Sequence, residues 1–428
     1  MSNPDVPDVL VVGGGIGGLS TAYSLTRRGL RVRVLEQAPE FGEVGAGIQL
    51  APNCTRILDD YGLLDEAKSL GVVPDSMVMR DAVDGDELTR LDLRDLERRY
   101  GYPYMVIHRS DLHGLFLRAC ERSGVELVNN AVVTDYTQDE AAGTAGVVLA
   151  DGSTQTAPVV IAADGLRSVA REKYVGDEPV SSAYVAYRGT VPTTEPRAAG
   201  VDLSEVVVYV GPGCHFVHYG LRGGELLNQV AVFESPKALA GEEDWGTPDE
   251  LDASFDNVVK DVQDGLKFMW RDRWWRMYDR EPIPNWIFGR VALLGDSAHA
   301  PLQYIAQGAI MAIEDGWALA KHVARNTSVG TDGAKEIDWD TALAAYSAVR
   351  TQHTERVLAT SREWGKLWHH PIGEKREQRN VILKARDVYD YSFVDWLYGP
   401  TALVPEDEPA MFTTIPLSSA EVTPAPVS

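Results

Sequence analysis

Val9-Leu10-Val11-Val12-Gly13-Gly14-Gly15-Ile16-Gly17-Gly18 is where the fold of this chain is decided. The apolar run Val9–Val12 reads as a short buried strand, and Gly13-x-Gly15-x-x-Gly18 follows it directly. Residues 16–28 continue as a helix. Leu19, Ala22, Tyr23 and Leu25 recur at helical spacing, and Gly29 ends the run. Val32–Leu35 is a second strand, with Glu36 at its tip. Strand, glycine turn, helix and parallel strand make a βαβ unit that takes a dinucleotide. Gly15 lets the backbone approach a pyrophosphate, and the helix N-terminus offers N–H donors. Glu36 comes 18 residues after Gly18, where an acid bonds a ribose hydroxyl pair and disfavours a 2′-phosphate.

About 280 residues later a second signal appears, Gly295-Asp296-Ser297-Ala298-His299-Ala300-Pro301, after the apolar run Val291–Leu294. A chain that returns to its dinucleotide so late is expected to hold a large one, FAD rather than NAD. Asp296 caps the next turn or bonds the cofactor's ribityl or ribose hydroxyls. A helix over Gly308–Arg325 is then aimed at the flavin, where its N–H groups face charge that builds on reduction. Between the two signals, Arg109 precedes a helix over residues 110–123 with Ser110 as its cap. It reads as a surface arginine or as a cation facing the cofactor. Asp164, after the strand Val159–Ala163, holds a backbone turn or assists the dinucleotide.

The rest of the chain sorts into units. At 428 residues it exceeds one ordinary core. The expected architecture is α/β: a Rossmann-like FAD-binding domain, discontinuous over 1–180 and 285–330, with an inserted, mainly antiparallel β-sheet substrate domain over 181–284. C-terminal helices cover 331–400, and a flexible tail rich in proline covers 401–428. Residues 56–70 and about 340–367 also read as helices. Strands are expected over Ala183–Val191, Val206–Val210, Cys214–Tyr219 and Leu227–Phe233.

Composition excludes several classes. The formal charge of −23 argues against nucleic acid and anionic membrane surfaces. Cys54, Cys120 and Cys214 fit no metal spacing, and no metal is expected; they read as small buried hydrophobes compatible with a reducing cytoplasm. No basic region precedes Val9–Val12, and that run is too short for a signal or a membrane span.

The strand Cys214–Tyr219 carries the chemistry. Alternation puts His215, Val217 and Tyr219 on one face, with His215 and Tyr219 about 13 Å apart along the backbone. Histidine is a natural base for a phenol near neutral pH, and it is equally a residue that strands satisfy with hydrogen bonds. His299 reads as structural, and Trp270, Trp274, Trp275 and Tyr278 as core or interface.

In this order, the glycine loop, Glu36, Arg109, Asp164-Gly165 and Gly295-Asp296 resemble the single-component flavoprotein aromatic hydroxylases, the salicylate-hydroxylase-like group in particular. The likeness runs over residues 8–400. Gly211-Pro212-Gly213-Cys214-His215-Phe216, Asp272-Arg273-Trp274-Trp275, Pro301-Leu302-Gln303-Tyr304 and Asp395-Trp396-Leu397 resemble the 3-hydroxybenzoate 6-hydroxylase subgroup. The resemblance implies His215 as phenol base, Tyr219 as its phenolic partner, Tyr104 lining the substrate pocket and Gln303 as an active-site amide. It implies cofactor contacts at Gly13, Gly15, Ile16, Gly18, Glu36, Gln37, Gly47, Gln49, Arg109, Val133, Asp164, Asp296, Gly308 and Ala309. It further implies FAD, NADH or NADPH as a transient electron donor, O2 as co-substrate, a small aromatic acid as substrate, and a cytoplasmic homodimer. Most of the wider family carries proline and a glycine-rich turn after the Gly-Asp. This chain has Gln303-Tyr304-Ile305-Ala306-Gln307-Gly308, which loosens the transfer of salicylate-type activity. Decarboxylating hydroxylation of salicylate or 6-hydroxynicotinate, and a FAD-binding subunit without catalysis, are the alternatives. No W-x-W-x-I-P segment supports a halogenase.

Overall fold

Val9–Val12 is buried along its whole length and lies inside a six-stranded sheet. The computed structural model describes residues 6–42, 45–195, 201–331 and 335–399. The sheet order is Ile287–Phe288, Val291–Leu293, Val159–Ala162, Val9–Val12, Val32–Leu35, Glu126–Val128, parallel except for the first pair. Its register explains why distant motifs converge. Val12 pairs with Ala162 and with Leu35, and Ala162 pairs with Leu293. The strands therefore end in one row, and Gly13, Asp164, Gly295-Asp296 and Glu36 all emerge at their carboxyl ends. Ligands of parallel α/β sheets bind at that edge. Gly13 sits at φ +104°, and a Cβ there would lie 2.2 Å from the Ala163 carbonyl oxygen, so only glycine allows the turn.

A second, seven-stranded sheet stands beside the first. Its order is Trp275–Asp279, Val180–Pro192, Leu226–Glu234, Cys214–Leu221, Glu205–Gly211, Ser76–Asp81, Glu87–Asp92. It is antiparallel except where Glu205–Gly211 meets Ser76–Asp81. Its last two strands come from within 1–180, the segment expected to belong wholly to the cofactor unit. Nothing in residues 76–92 alone shows which sheet they join, because edge pairing is a long-range event. The central strands alternate. Cys214 and Phe216 enter a core with Tyr187, Phe233, Trp245 and Leu251, while His215, Val217 and Tyr219 face the cofactor side.

Two long helices close the structure. Gly308–Arg325 packs on the first helix, Ile16–Thr26, and on Trp339–Trp368. Within this contact Arg350 is fully buried and donates to Asp315 at 2.7 Å and Glu314 at 2.8 Å. Asp315 also accepts from the Gly295 amide at 2.9 Å, and its carboxylate lies 2.5 Å from His299 Nε2. The His299 reading as structural matches this contact.

Local expectations needed two corrections. The helix expected over 56–70 is two helices, Pro52–Asp60 and Leu64–Leu70, separated by a turn in which Gly62 has φ +71°. The helix expected from Ser110 begins at Arg109. His108 is its cap, with Nδ1 accepting from the Ser110 amide at 3.3 Å. The tail over 401–428 lies outside the described residues. Among those described, no helix is long and apolar enough to cross a membrane, and all three cysteines are buried thiols.

Candidate active site

A cavity of about 1,130 Å³ runs from the glycine loop to the second sheet. Pockets for single small ligands span roughly 300–1,000 Å³, so this one accommodates a dinucleotide with a second ligand. Of the residues that the resemblance assigns to the base, the substrate pocket or the cofactor, all but Gly18 lie on its wall. Gly18 is packed beneath the loop, where a Cβ would meet the Gly13 carbonyl at 1.9 Å.

The cofactor end fits FAD. The Ile16–Thr26 helix has no side-chain cap and no acid in its first turn, which leaves its amino end suited to a phosphate. Both Glu36 oxygens are oriented by backbone amides, Gly14 at 2.7 Å and Ala38 at 2.8 Å, with lone pairs left for hydroxyl groups. Asp164 Oδ2 accepts from Tyr136 at 3.0 Å and the Ala170 amide at 3.3 Å. Its Oδ1 is buried with no hydrogen-bond partner among the described residues. Burial pushes the Asp164 carboxyl up, and a hydroxyl donor from a ligand would satisfy the orphaned oxygen. Asp296 stands exposed between buried neighbours. The Gly308–Arg325 helix likewise starts without a side-chain cap, at the cavity wall.

The other end is the chemical one. His215 is buried, and its Nδ1 lies 2.8 Å from His369 Nε2. Its Nε2 is 3.5 Å from the Gln303 amide nitrogen, too long for a good hydrogen bond, so this nitrogen is open to a ligand. Burial, with His369 beside it, drives the His215 imidazole well below its ordinary value. It is therefore neutral at neutral pH, with a free lone pair on one ring nitrogen. Tyr304 and Trp368 set their rings edge-on to it at 5.6 and 5.2 Å.

Tyr219 lies against the Gly47–Leu50 strand. A Cβ on Gly47 would sit 2.5 Å from its ring and 2.8 Å from its hydroxyl, so the close approach requires glycine. Tyr104 donates to Gln49 Oε1 at 2.5 Å. Burial raises both phenols, which stay protonated hydrogen-bond donors.

Two residues escaped the sequence reading, Arg188 on the cavity wall and His369 behind His215. His369 follows a long helix, 154 residues from its partner, and nothing local links them. Arg188 had a usable signal, a lone charge inside the strand-like run Tyr184–Val191. Its Nε is buried without a hydrogen-bond partner among the described residues, and its guanidinium stands 5.1 Å from the Trp275 ring. Burial and the nearby Arg109 lower its pKa, and Tyr219 is its other neighbour. Trp275, expected in a core or interface, packs against the main core and also lines the cavity, as does Tyr278.

This cleft, with a nucleotide edge at one end and a buried histidine at the other, is that of a flavin-dependent aromatic-ring monooxygenase. The FAD binding domain family matches residues 7–361, and the chain belongs to it. It is 39% identical over 405 residues to 3-hydroxybenzoate 6-hydroxylase of Polaromonas naphthalenivorans (strain CJ2), covering 93% of this chain and 97% of that one. Klebsiella pneumoniae HpxO, solved with FAD and uric acid, superposes with a TM-score of 0.76 at 26% identity, over 88% of this chain and 92% of that one. A salicylate hydroxylase substrate complex gives a TM-score of 0.73 at 26% identity, over 92% and 96%.

Proposed function

We propose that this chain converts 3-hydroxybenzoate to 2,5-dihydroxybenzoate, using O2 and electrons from NADH. The observation that carries the reading is His215, a buried neutral imidazole with one nitrogen held by His369 and the other open beside Gln303. A phenol loses its proton near pH ~10, so at neutral pH the ring is poorly activated unless a base takes that proton. Bound FAD supplies the redox and oxygen-activating chemistry. His215 Nε2 takes the phenolic proton, and the Gln303 amide orients the ring substituents. Arg188 and Tyr219, neighbours on the wall, receive the carboxylate: one as a desolvated cation, the other as a donor. Met77, Met79, Leu91 and Trp364 line the same cavity with apolar surface that excludes water.

Support from likeness is strongest for this substrate, because the 39% identical relative carries that name. The test is a panel of monohydroxybenzoates with the FAD-loaded protein, scored by NADH consumption and product mass. 3-Hydroxybenzoate is expected to give one added oxygen with the carboxyl retained. Loss of carbon dioxide, or turnover only with another acid, would overturn the assignment.

We also propose a cytoplasmic homodimer. Three buried thiols suit a reducing compartment, and the exposed Val381 and Ile382 suit contact with a second copy. Sedimentation velocity reads the assembly, and a monomer at working concentration would sink that part.

A further inference from the structure

We propose that His369 is a positioning residue that holds His215 in the base-competent tautomer and takes the proton onward from it. The inference rests on His215 being the base. For Nε2 of His215 to accept a proton, the resting proton must be on Nδ1. That Nδ1 is 2.8 Å from His369 Nε2, so His369 must accept there and carry its own proton on Nδ1. The other tautomer of the pair would put a proton on His215 Nε2 and leave no base facing the substrate.

The step balances as follows. The phenol O–H bond breaks, and an N–H bond forms at His215 Nε2. The Nδ1 proton of His215 passes to His369 Nε2. The substrate becomes a phenolate, His215 is neutral again, and His369 carries the charge. The proton returns by the same path to the phenolate oxygen of the product.

His369 stands among aromatic rings. Its ring stacks on Tyr184 at 4.6 Å and 21°, an electron-rich face. Glu234 is the carboxylate acting on Tyr184. Tyr304 stands edge-on at 5.4 Å, with Glu234 and Asp279 as the carboxylates acting on it. Burial, and after it the opposing Arg379 charge, bring His369 down to about 3 in the resting protein. That opposition is blunted because Arg379 is itself paired with Asp81 at 2.8 Å. The pair is therefore neutral at rest, and it charges only when a phenolate forms beside it.

The helix end places this ring. Arg379 donates to the Trp368 carbonyl at 2.8 Å, and the Gly213 amide donates to the His369 carbonyl at 3.2 Å. The His369 backbone is thereby tied to the turn that precedes the His215 strand.

The experiment compares FAD-loaded wild type, His369→Gln, His369→Phe and His215→Asn with 3-hydroxybenzoate. Flavin content and circular dichroism establish folding. Glutamine can hold a hydrogen bond at Nδ1 but cannot carry a proton onward. We expect His369→Gln to keep KM near wild type while kcat for coupled hydroxylation falls about 10–100-fold, the usual scale for losing the partner that orients a reacting imidazole. The acid limb of kcat/KM should move, since two imidazoles that titrate as a coupled pair become one. His369→Phe should lose KM as well. A His369→Gln enzyme with wild-type kcat and acid limb would overturn the relay, as would a His369→Phe enzyme with normal turnover. Unchanged coupling in His215→Asn would instead overturn the assignment of the base.

Discussion

His215 sits without charge among aromatic rings, and its depressed pKa fixes the pH behaviour of the site. A base whose protonation is made difficult stays competent to lower pH than a free imidazole. kcat/KM is expected to be flat through neutral pH and to fall only below the ordinary imidazole value near ~6.5. A profile that instead declines from pH 7.5 downward would point to a different titrating group. Replacing His215 by Ala should cut coupled hydroxylation roughly 10²–10⁴-fold while leaving the bound flavin spectrum in place. Arg188 is the second residue whose loss is diagnostic. Arg188→Gln removes a charge-assisted contact of about 1.5–3 kcal/mol, which corresponds to a rise in KM of roughly 10–100-fold for the acid. The matching amide substrate should feel little of it. Equal losses for acid and amide would move Arg188 out of the carboxylate role.

Two helices depend on one buried ion cluster. Burial alone would raise Glu314 and Asp315. Arg350 outweighs it for Glu314, and His299 with Arg350 does so for Asp315, holding both carboxyls at about 2. Because these folded-state values lie below the unfolded values near ~4, the pair contributes stability that is complete above that pH. The contribution drains away as pH falls toward about 2. Arg350→Leu strands two carboxylates in the interior, a loss of about 3–5 kcal/mol. Its melting temperature should drop sharply at pH 7 and differ less from wild type at pH 3. The same variant should bind FAD weakly, since Asp315 anchors the Gly295 amide at the cofactor edge. A variant with normal Tm and flavin content would remove the cluster from both roles.

The molecule as a whole is strongly acidic, with a formal charge of −23, while the proposed substrate is an anion. Long-range repulsion should slow encounter, and salt should relieve it. kcat/KM for 3-hydroxybenzoate is therefore expected to rise as ionic strength goes from ~0.01 to ~0.15 M, with no such rise for a neutral phenol. A fall with salt would mean that the local field of Arg188 and Arg109 dominates the approach.

How much of this was legible differs by residue and by reason. Val9–Val12, the glycine turn, Glu36 and the Gly308–Arg325 helix are written in local pattern: apolar runs, turn residues and helical spacing act on near neighbours. His215 and Tyr219 could be placed on one face because strand alternation is also local. Ser110 is not the cap its position suggests, because the histidine before Arg109 supplies the acceptor instead. The joining of Ser76–Asp81 to the second sheet, the meeting of His215 with His369, and the position of Arg188 beside Tyr219 are of another kind. Each is a contact across many residues, chosen by how two sheets and a helix end pack. Sequence periodicity carries no term for such distances. The order of motifs thus determines a dinucleotide edge and a phenol-facing strand, and packing alone decides which groups complete the base and receive the acid.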